Sequence, residues 1–299
     1  MCGIVGLFLK DTKLEPELGS MLSSMLCVLT DRGPDSAGFA VYGSGDSNRV
    51  KISLRIGRDF DGEAMADALK SATGERPVVK QRATHVLLEI AADREVEVRK
   101  AVAERFPSLA VVGTGTRMEI FKEVGLPADV SKRFDLPGMT GTHGIGHTRM
   151  ATESAVTTDG AHPFSTGRDQ CLVHNGSLSN HAGLRRMLRR EGLTFATEND
   201  SEVAAGYLTW RMTQGKSLGE ALEAGLSDLD GFYTFVVGTE SGFGVLRDPI
   251  ACKPAVMAET DKYVAFGSEY RALINLPGVA NARVWEPEPS TVYFWDRAA

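Results

Sequence analysis

Cys2-Gly3-Ile4-Val5-Gly6-Leu7-Phe8-Leu9 places a nucleophilic side chain directly ahead of an unbroken apolar run. Residues 3 to 9 read as a buried strand. Position 2 gives the cysteine an unusual chemical option. A start methionine is trimmed when the next side chain is small, which leaves a thiol and a free α-amine on one residue. That amine titrates at ~7.7 to 8.0, so it can take the thiol proton and later return it to a leaving amine. Gly3 and Gly6 are expected to keep the strand slim enough for a substrate to approach. Taken alone, Cys2 reads more ordinarily as a small buried hydrophobe, so the rest of the chain has to decide.

With 299 residues, 42% of them hydrophobic, the chain can bury a sizeable core. A net charge of -6 does not suit a phosphate-neutralising surface, so a metabolite or a protein is the expected partner and nucleic acid is not. Cys2, Cys27, Cys171 and Cys252 form no CxxC pair, which signals neither a zinc site nor a disulfide framework and fits a reducing cytoplasm. No basic region precedes the first apolar run and no later run is long enough to span a bilayer, so neither export nor membrane residence is expected.

Outward from the first strand, Leu18, Met21, Leu22, Met25, Leu26 and Leu29 recur at helical spacing up to the turn Asp31-Arg32-Gly33-Pro34. Strand patterns recur at 38–42, 143–149, 171–174, 232–238, 243–247, 263–267 and 291–295, and helical ones at 180–191, 201–213 and 218–226. Residues 60–138 differ in character. A strand over 84–91, a helix capped by Asp93 and carrying Val98, Val102 and Phe106, and a strand over 109–114 suggest an inserted βαβ unit. Its job is either docking of a partner or none. Gly113-Thr114-Gly115 lacks the third glycine of a dinucleotide fingerprint, Met118 standing there instead, and reads as a turn. Arg185, Arg186, Arg189 and Arg190 read as a solvated helix face, with docking of an acidic partner as the alternative.

Six motifs in one order change the weight given to Cys2. They are Cys2-Gly3-Ile4-Val5-Gly6, Arg32-Gly33-Pro34-Asp35-Ser36-Ala37-Gly38, His147-Thr148-Arg149-Met150-Ala151-Thr152, His162-Pro163-Phe164, His174-Asn175-Gly176 and Asn199-Asp200-Ser201-Glu202. Arg247-Asp248-Pro249, Lys253-Pro254 and Gly267-Ser268-Glu269 come after them. This arrangement resembles the class II glutamine amidotransferases, the N-terminal-nucleophile glutaminases, and the resemblance covers nearly everything outside 60–138. It implies an α+β fold, the four-layer αββα sandwich of two antiparallel sheets, spanning 1–299 with the βαβ unit inside it. It also implies roles. Cys2 attacks the side-chain amide of L-glutamine, Asn175 and the Gly176 N–H form the oxyanion hole, Arg149 grips the α-carboxylate, Asp200 pairs with the α-ammonium, Thr152 is a further substrate contact, and Arg32 organises the loop near Cys2. No cofactor is implied.

Departures from the glucosamine-forming branch fall beside the substrate arginine. Met150 and Glu153 replace an aromatic residue and a histidine, and Gly160 stands where an asparagine is common. His143, His147, His162, His174 and His181 match no metal-ligand spacing, so structural hydrogen bonding is expected and no metal. The last strand pattern ends near Ala299, so the ammonia is expected to be used by synthase subunits on other chains. Among stand-alone class II subunits the chain looks most like the glutaminase subunit of N-methylglutamate synthase, a glutamate-synthase relative that works with separate flavin-binding and structural subunits. Two alternatives stand beside this. One is an amidohydrolase of a γ-glutamyl compound, which need not keep both Arg149 and Asp200; the other is a non-catalytic assembly subunit, which need not keep Cys2, Asn175 or Gly176.

Overall fold

The computed structural model describes residues 2–57, 60–151 and 155–297. In chain order its elements are β1 (Gly3–Leu9), α1 (Leu18–Val28), β2 (Ser36–Tyr42), β3 (Arg49–Arg55), α2 (Gly62–Thr73), β4 (Val78–Arg82), β5 (His85–Ala91), α3 (Glu95–Arg105), β6 (Ala110–Gly115), β7 (Met118–Val124), α4 (Pro127–Arg133) and β8 (His143–Arg149). Then come β9 (Phe164–Gly167), β10 (Gln170–Leu178), α5 (His181–Arg190), α6 (Asp200–Thr213), α7 (Leu218–Asp228), β11 (Gly231–Gly238), β12 (Gly242–Arg247), β13 (Val256–Glu259), β14 (Tyr263–Gly267), β15 (Arg283–Trp285) and β16 (Thr291–Asp296). No described helix is long and apolar enough to cross a membrane.

Alternation along β1 explains how one short strand serves two cores. Ile4 and Phe8 face the opposing sheet, in one core with its Val173, Val236 and Phe243. Val5, Leu7 and Leu9 face the other way, onto Leu22, Met25 and Leu26 of α1. A strand buried on both faces needs apolar side chains at every position, which is the pattern that residues 3 to 9 carry. Gly6 is small for packing and not for substrate access. A Cβ there would lie 2.7 Å from the Phe243 ring, which belongs to the facing sheet.

β1 sits inside a seven-stranded antiparallel sheet of order β15-β13-β14-β1-β8-β2-β7, covered by α1 and α4. Facing it is a five-stranded antiparallel sheet of order β16-β12-β11-β10-β9, whose outer side packs against α5, α6 and α7. The resulting layers are helix, sheet, sheet, helix, the αββα sandwich.

The inserted unit differs from the sequence expectation in extent and topology. Its sheet runs β4-β5-β3-β6 with every pair antiparallel, and α2 and α3 cover one face through Met65, Leu69, Val98 and Val102. The order of elements, βαββαβ, is the split βαβ of the ferredoxin-like motif. The unit therefore occupies Arg49–Gly115, and the strand beyond it belongs to the main sandwich: β7 pairs with β2, Tyr42 opposite Met118. Its first strand lies ahead of the expected boundary at residue 60. There Val50, Ile52 and Leu54 alternate with Arg49, Lys51, Ser53 and Arg55, a period of two. Gly113-Thr114-Gly115 is strand and not turn, paired with Ser53, Ile52 and Lys51 of β3. The expected cap at Asp93 sits within a short 3-10 turn, Ala92–Arg94, that precedes α3.

The chain turns at Thr116 and Arg117, where one buried carboxylate gathers the backbone. Asp169, in the β9–β10 turn, accepts from the N–H groups of Thr116, Arg117 and Met118 at 2.7, 2.9 and 3.0 Å. This ties the exit of the inserted unit to the five-stranded sheet.

Candidate active site

Strand register decides which residues meet. Gly3 pairs with Thr148 and Ser36 with Arg149, so Cys2, the Arg32 turn and Arg149 emerge together at one end of the seven-stranded sheet. Across from them, β10 presents Asn175 and Gly176, and α6 begins at Asp200. A cleft of about 970 Å³ separates the two, lined by Cys2, Arg32, Arg149, Asn175, Gly176 and Asp200. Residues scattered over the sequence thus share one site. Thr152, the remaining expected contact, and Glu153 lie outside the described residues.

The main chain of Cys2 is fixed from two sides. Its carbonyl accepts from Arg32 Nε at 3.0 Å and from Asn175 Nδ2 at 3.2 Å, while Sγ faces the Met150 carbonyl at 3.8 Å. Arg32 is buried and held in turn by Glu269, Nη1 to Oε1 at 2.6 Å. Ser268 Oγ accepts from the Asn175 amide at 3.2 Å and from the Ile4 N–H at 2.8 Å. The Gly267-Ser268-Glu269 motif thereby acquires roles that sequence reasoning left blank: Ser268 aims Asn175, and Glu269 aims Arg32.

Gly176 has no alternative. Its φ of +137° lies where side chains rarely go, and a Cβ would sit 1.9 Å from the Phe232 carbonyl of the neighbouring strand. Asp200 is placed by its helix: Asn199 caps α6 through a 2.9 Å bond from the Ser201 N–H, so a carboxylate occupies the first turn, where the helix dipole favours it. Asp200 Oδ2 accepts from the Leu178 N–H at 2.9 Å, tying the carboxylate to the strand that carries Asn175. Arg149 Nη1 reaches the Ala155 carbonyl at 3.5 Å. Arg185 departs from the expected solvated arginine face. It is buried and ion-paired with Glu198 while Nη2 donates to the Asn199 carbonyl at 3.1 Å, so it supports the segment that leads into Asp200.

Beneath the cleft lies a histidine cluster. The Ser201 hydroxyl touches His162 Nε2 at 2.9 Å and His174 Nδ1 at 2.8 Å, His147 stacks on His162 with ring centres 4.0 Å apart, and His147 Nε2 meets the His174 carbonyl at 3.1 Å. Among the described residues no group of three histidines, cysteines or carboxylates is arranged to hold a metal ion. Burial holds His147 down at about 3 and His174 at about 4, and pushes His162 well below the ordinary value; His143 and His85 are lowered to about 3 and about 4 for the same reason. A folded pKa below the unfolded ~6.5 means that acid protonates the unfolded chain first, so stability present above ~6.5 drains away as pH falls toward 4. Each such histidine contributes a slope of up to about 1.4 kcal/mol per pH unit, and the loss begins well above the carboxylate range. The expected result is a marked fall in Tm between about pH 6.5 and about pH 5 in thermal melts. An unchanged Tm across that window would contradict it.

Comparison with known proteins identifies the family and the fold. Residues 147–275 match the glutamine amidotransferase domain family. The chain is 63% identical over 299 residues to the glutamine amidotransferase-like protein GlxB of Rhizobium meliloti (strain 1021), covering 99% of this chain and 98% of that protein. It is 33% identical over 307 residues to a putative glutamine amidotransferase of Methanothermobacter thermautotrophicus, covering 98% and 99%. Among solved structures, the glutamine phosphoribosylpyrophosphate amidotransferase of B. subtilis aligns with a TM-score of 0.63 at 20% identity, covering 99% of this chain and 47% of that one. The chain thus spans about half the length of that solved structure, and the likeness concerns the fold. The chain is a member of the glutamine amidotransferase family, an enzyme of its class II branch built on the N-terminal-nucleophile fold.

Proposed function

We propose that the chain hydrolyses L-glutamine to glutamate and ammonia through Cys2, and that the ammonia is passed to a synthase subunit on another chain. The observation that carries this reading is the shared cleft, which Cys2, Asn175, Arg149 and Asp200 line together. An amino acid with free α-groups is bound between opposite charges while its side-chain amide reaches the thiol. With Met1 removed, the α-amine of Cys2 takes the thiol proton, and Sγ attacks the amide carbon. The oxyanion that forms is met by the Asn175 amide and the Gly176 N–H. Collapse of the tetrahedral adduct returns the proton to nitrogen, ammonia leaves, and water then cleaves the γ-glutamyl thioester to release glutamate.

Transfer to a separate chain is supported by the Rhizobium relative, nearly all of whose length is covered by this chain, leaving it little room for an acceptor domain of its own. We place the acceptor complex among the N-methylglutamate synthase and glutamate synthase-like assemblies, whose partner subunits carry flavin, and place the enzyme in the cytoplasm. Purified protein should release glutamate and ammonia from L-glutamine in equal amounts, and its intact mass should lack Met1. Turnover by a protein that retains Met1 would sink the amine-as-base mechanism.

A further inference from the structure

Lys122 lies on β7, the edge strand of the seven-stranded sheet, and is buried. Its three ammonium protons go to three carbonyls of one loop: Asp159 at 3.2 Å, Ala161 at 2.8 Å and Pro163 at 3.3 Å. The Phe164 ring covers the ammonium, Nζ standing 4.5 Å from its centre. Desolvating a cation is costly, and among the described residues the charge gathers main chain and meets no contacting carboxylate. The gathered loop belongs to the cleft. Asp159 and Gly160 line it, and an atom added at Gly160 would lie 3.5 Å from Arg149 Nη1. The carbonyls on either side of Gly160 are two of the three that Lys122 holds.

The inserted unit braces the same loop. Arg55, the last residue of β3, makes a two-pronged ion pair with Asp159, Nε and Nη2 each at 2.9 Å. Glu123, next to Lys122, accepts from the Thr158 hydroxyl and, at 2.6 Å, from the Thr84 hydroxyl of the unit.

We propose that Lys122 is a positioning residue for the substrate site, holding the loop 157–163 against Arg149, and that Arg55 makes the inserted unit part of that support. The proposal rests on the cleft being a glutamine site. Burial lowers the ammonium to about 8; the Asp159 and Glu202 carboxylates favour its cation, the Arg55 guanidinium opposes it, and His85 and His162 nearby are held neutral. The brace should therefore loosen as pH rises through about 8.

Steady-state kinetics with L-glutamine and hydrogen exchange of the 157–163 amides, on wild type and Lys122→Met, test this. Lys122→Met is expected to raise KM about tenfold with kcat within about twofold, and to speed exchange of the loop amides while those of β10 are unaltered. Arg55→Ala should raise KM about two- to threefold, since its ion pair is half exposed. A merely structural lysine would lower Tm and leave KM alone. Unchanged KM and unchanged loop exchange in Lys122→Met overturn the proposal. If that variant does not fold, a flat wild-type KM from about pH 7 to about pH 9 together with an unchanged KM in Arg55→Ala overturns it, and a rise in either supports it. If wild type fails to hydrolyse glutamine, the substrate reading falls by itself, and the exchange comparison still decides whether Lys122 holds the loop.

Discussion

Cys2→Ala is expected to lower glutamine-dependent turnover by at least ~10⁴-fold, the scale on which losing a covalent nucleophile removes a whole reaction path and not one stabilising contact. Synthesis from added ammonium by the assembled complex should persist, because only the ammonia source is lost. The structure gives the substitution a narrow reach. Cys2 is fixed through its main-chain carbonyl, by Arg32 and Asn175, and neither bond involves the thiol. Removing Sγ therefore leaves the scaffold of the site in place, and the Tm of Cys2→Ala should match that of wild type. Loss of ammonium-dependent synthesis along with the glutaminase reaction would make Cys2 a structural residue and the mechanism wrong.

The second large effect is expected at Asn175. Asn175→Ala should lower kcat by ~10² to 10³ with little change in KM, the usual consequence of deleting one donor to a developing oxyanion. In the resting site the same amide donates to the Cys2 carbonyl and to Ser268 Oγ, so a loss of kcat has two possible sources. Ser268→Ala separates them. It removes only a resting partner of Asn175 and of the Ile4 N–H, and its kcat should fall much less than that of Asn175→Ala. Arg149→Ala should behave in the opposite sense, chiefly raising KM, because the α-carboxylate is bound equally in ground and transition states. Steady-state kinetics on the three variants decides the assignment: a KM defect at Asn175 paired with a kcat defect at Arg149 would exchange the two roles.

What was legible in the sequence divides along physical lines. β1, α1 and β8 were readable because each buries a full face, so burial writes itself into the residue pattern. The cleft residues were readable only as ordered motifs, since nothing in the composition around Asn175 or Asp200 shows that β10 and the start of α6 meet Cys2. β4 was not readable. Its five residues, Val-Val-Lys-Gln-Arg, form an edge strand that is exposed or half-buried throughout, with no apolar face to betray it. Lys122 and Arg185 were missed for a related reason. A long basic side chain normally implies a wet surface, and only the assembled fold shows that Lys122 meets three carbonyls and that Arg185 underpins Asp200. Ser268 and Glu269 were seen as a motif but not as tools, because their work is done on Asn175 and Arg32, both far away in the chain.

Because Tyr42 and Met118 face each other across β2 and β7, everything from residue 43 to residue 117 emerges from the tip of a two-stranded hairpin. Hairpin tips accept whole modules without shifting the register behind them. A lineage can therefore acquire or discard this unit in one recombination event, the two strands closing over the gap with a tight turn. Dependence on the module is written in the side chains that cross the seam, among them Lys51, Arg55, Thr84 and Glu95 from the unit and Glu119, Glu123, Asp159 and Arg168 from the host, each reachable by single substitutions after the graft has taken.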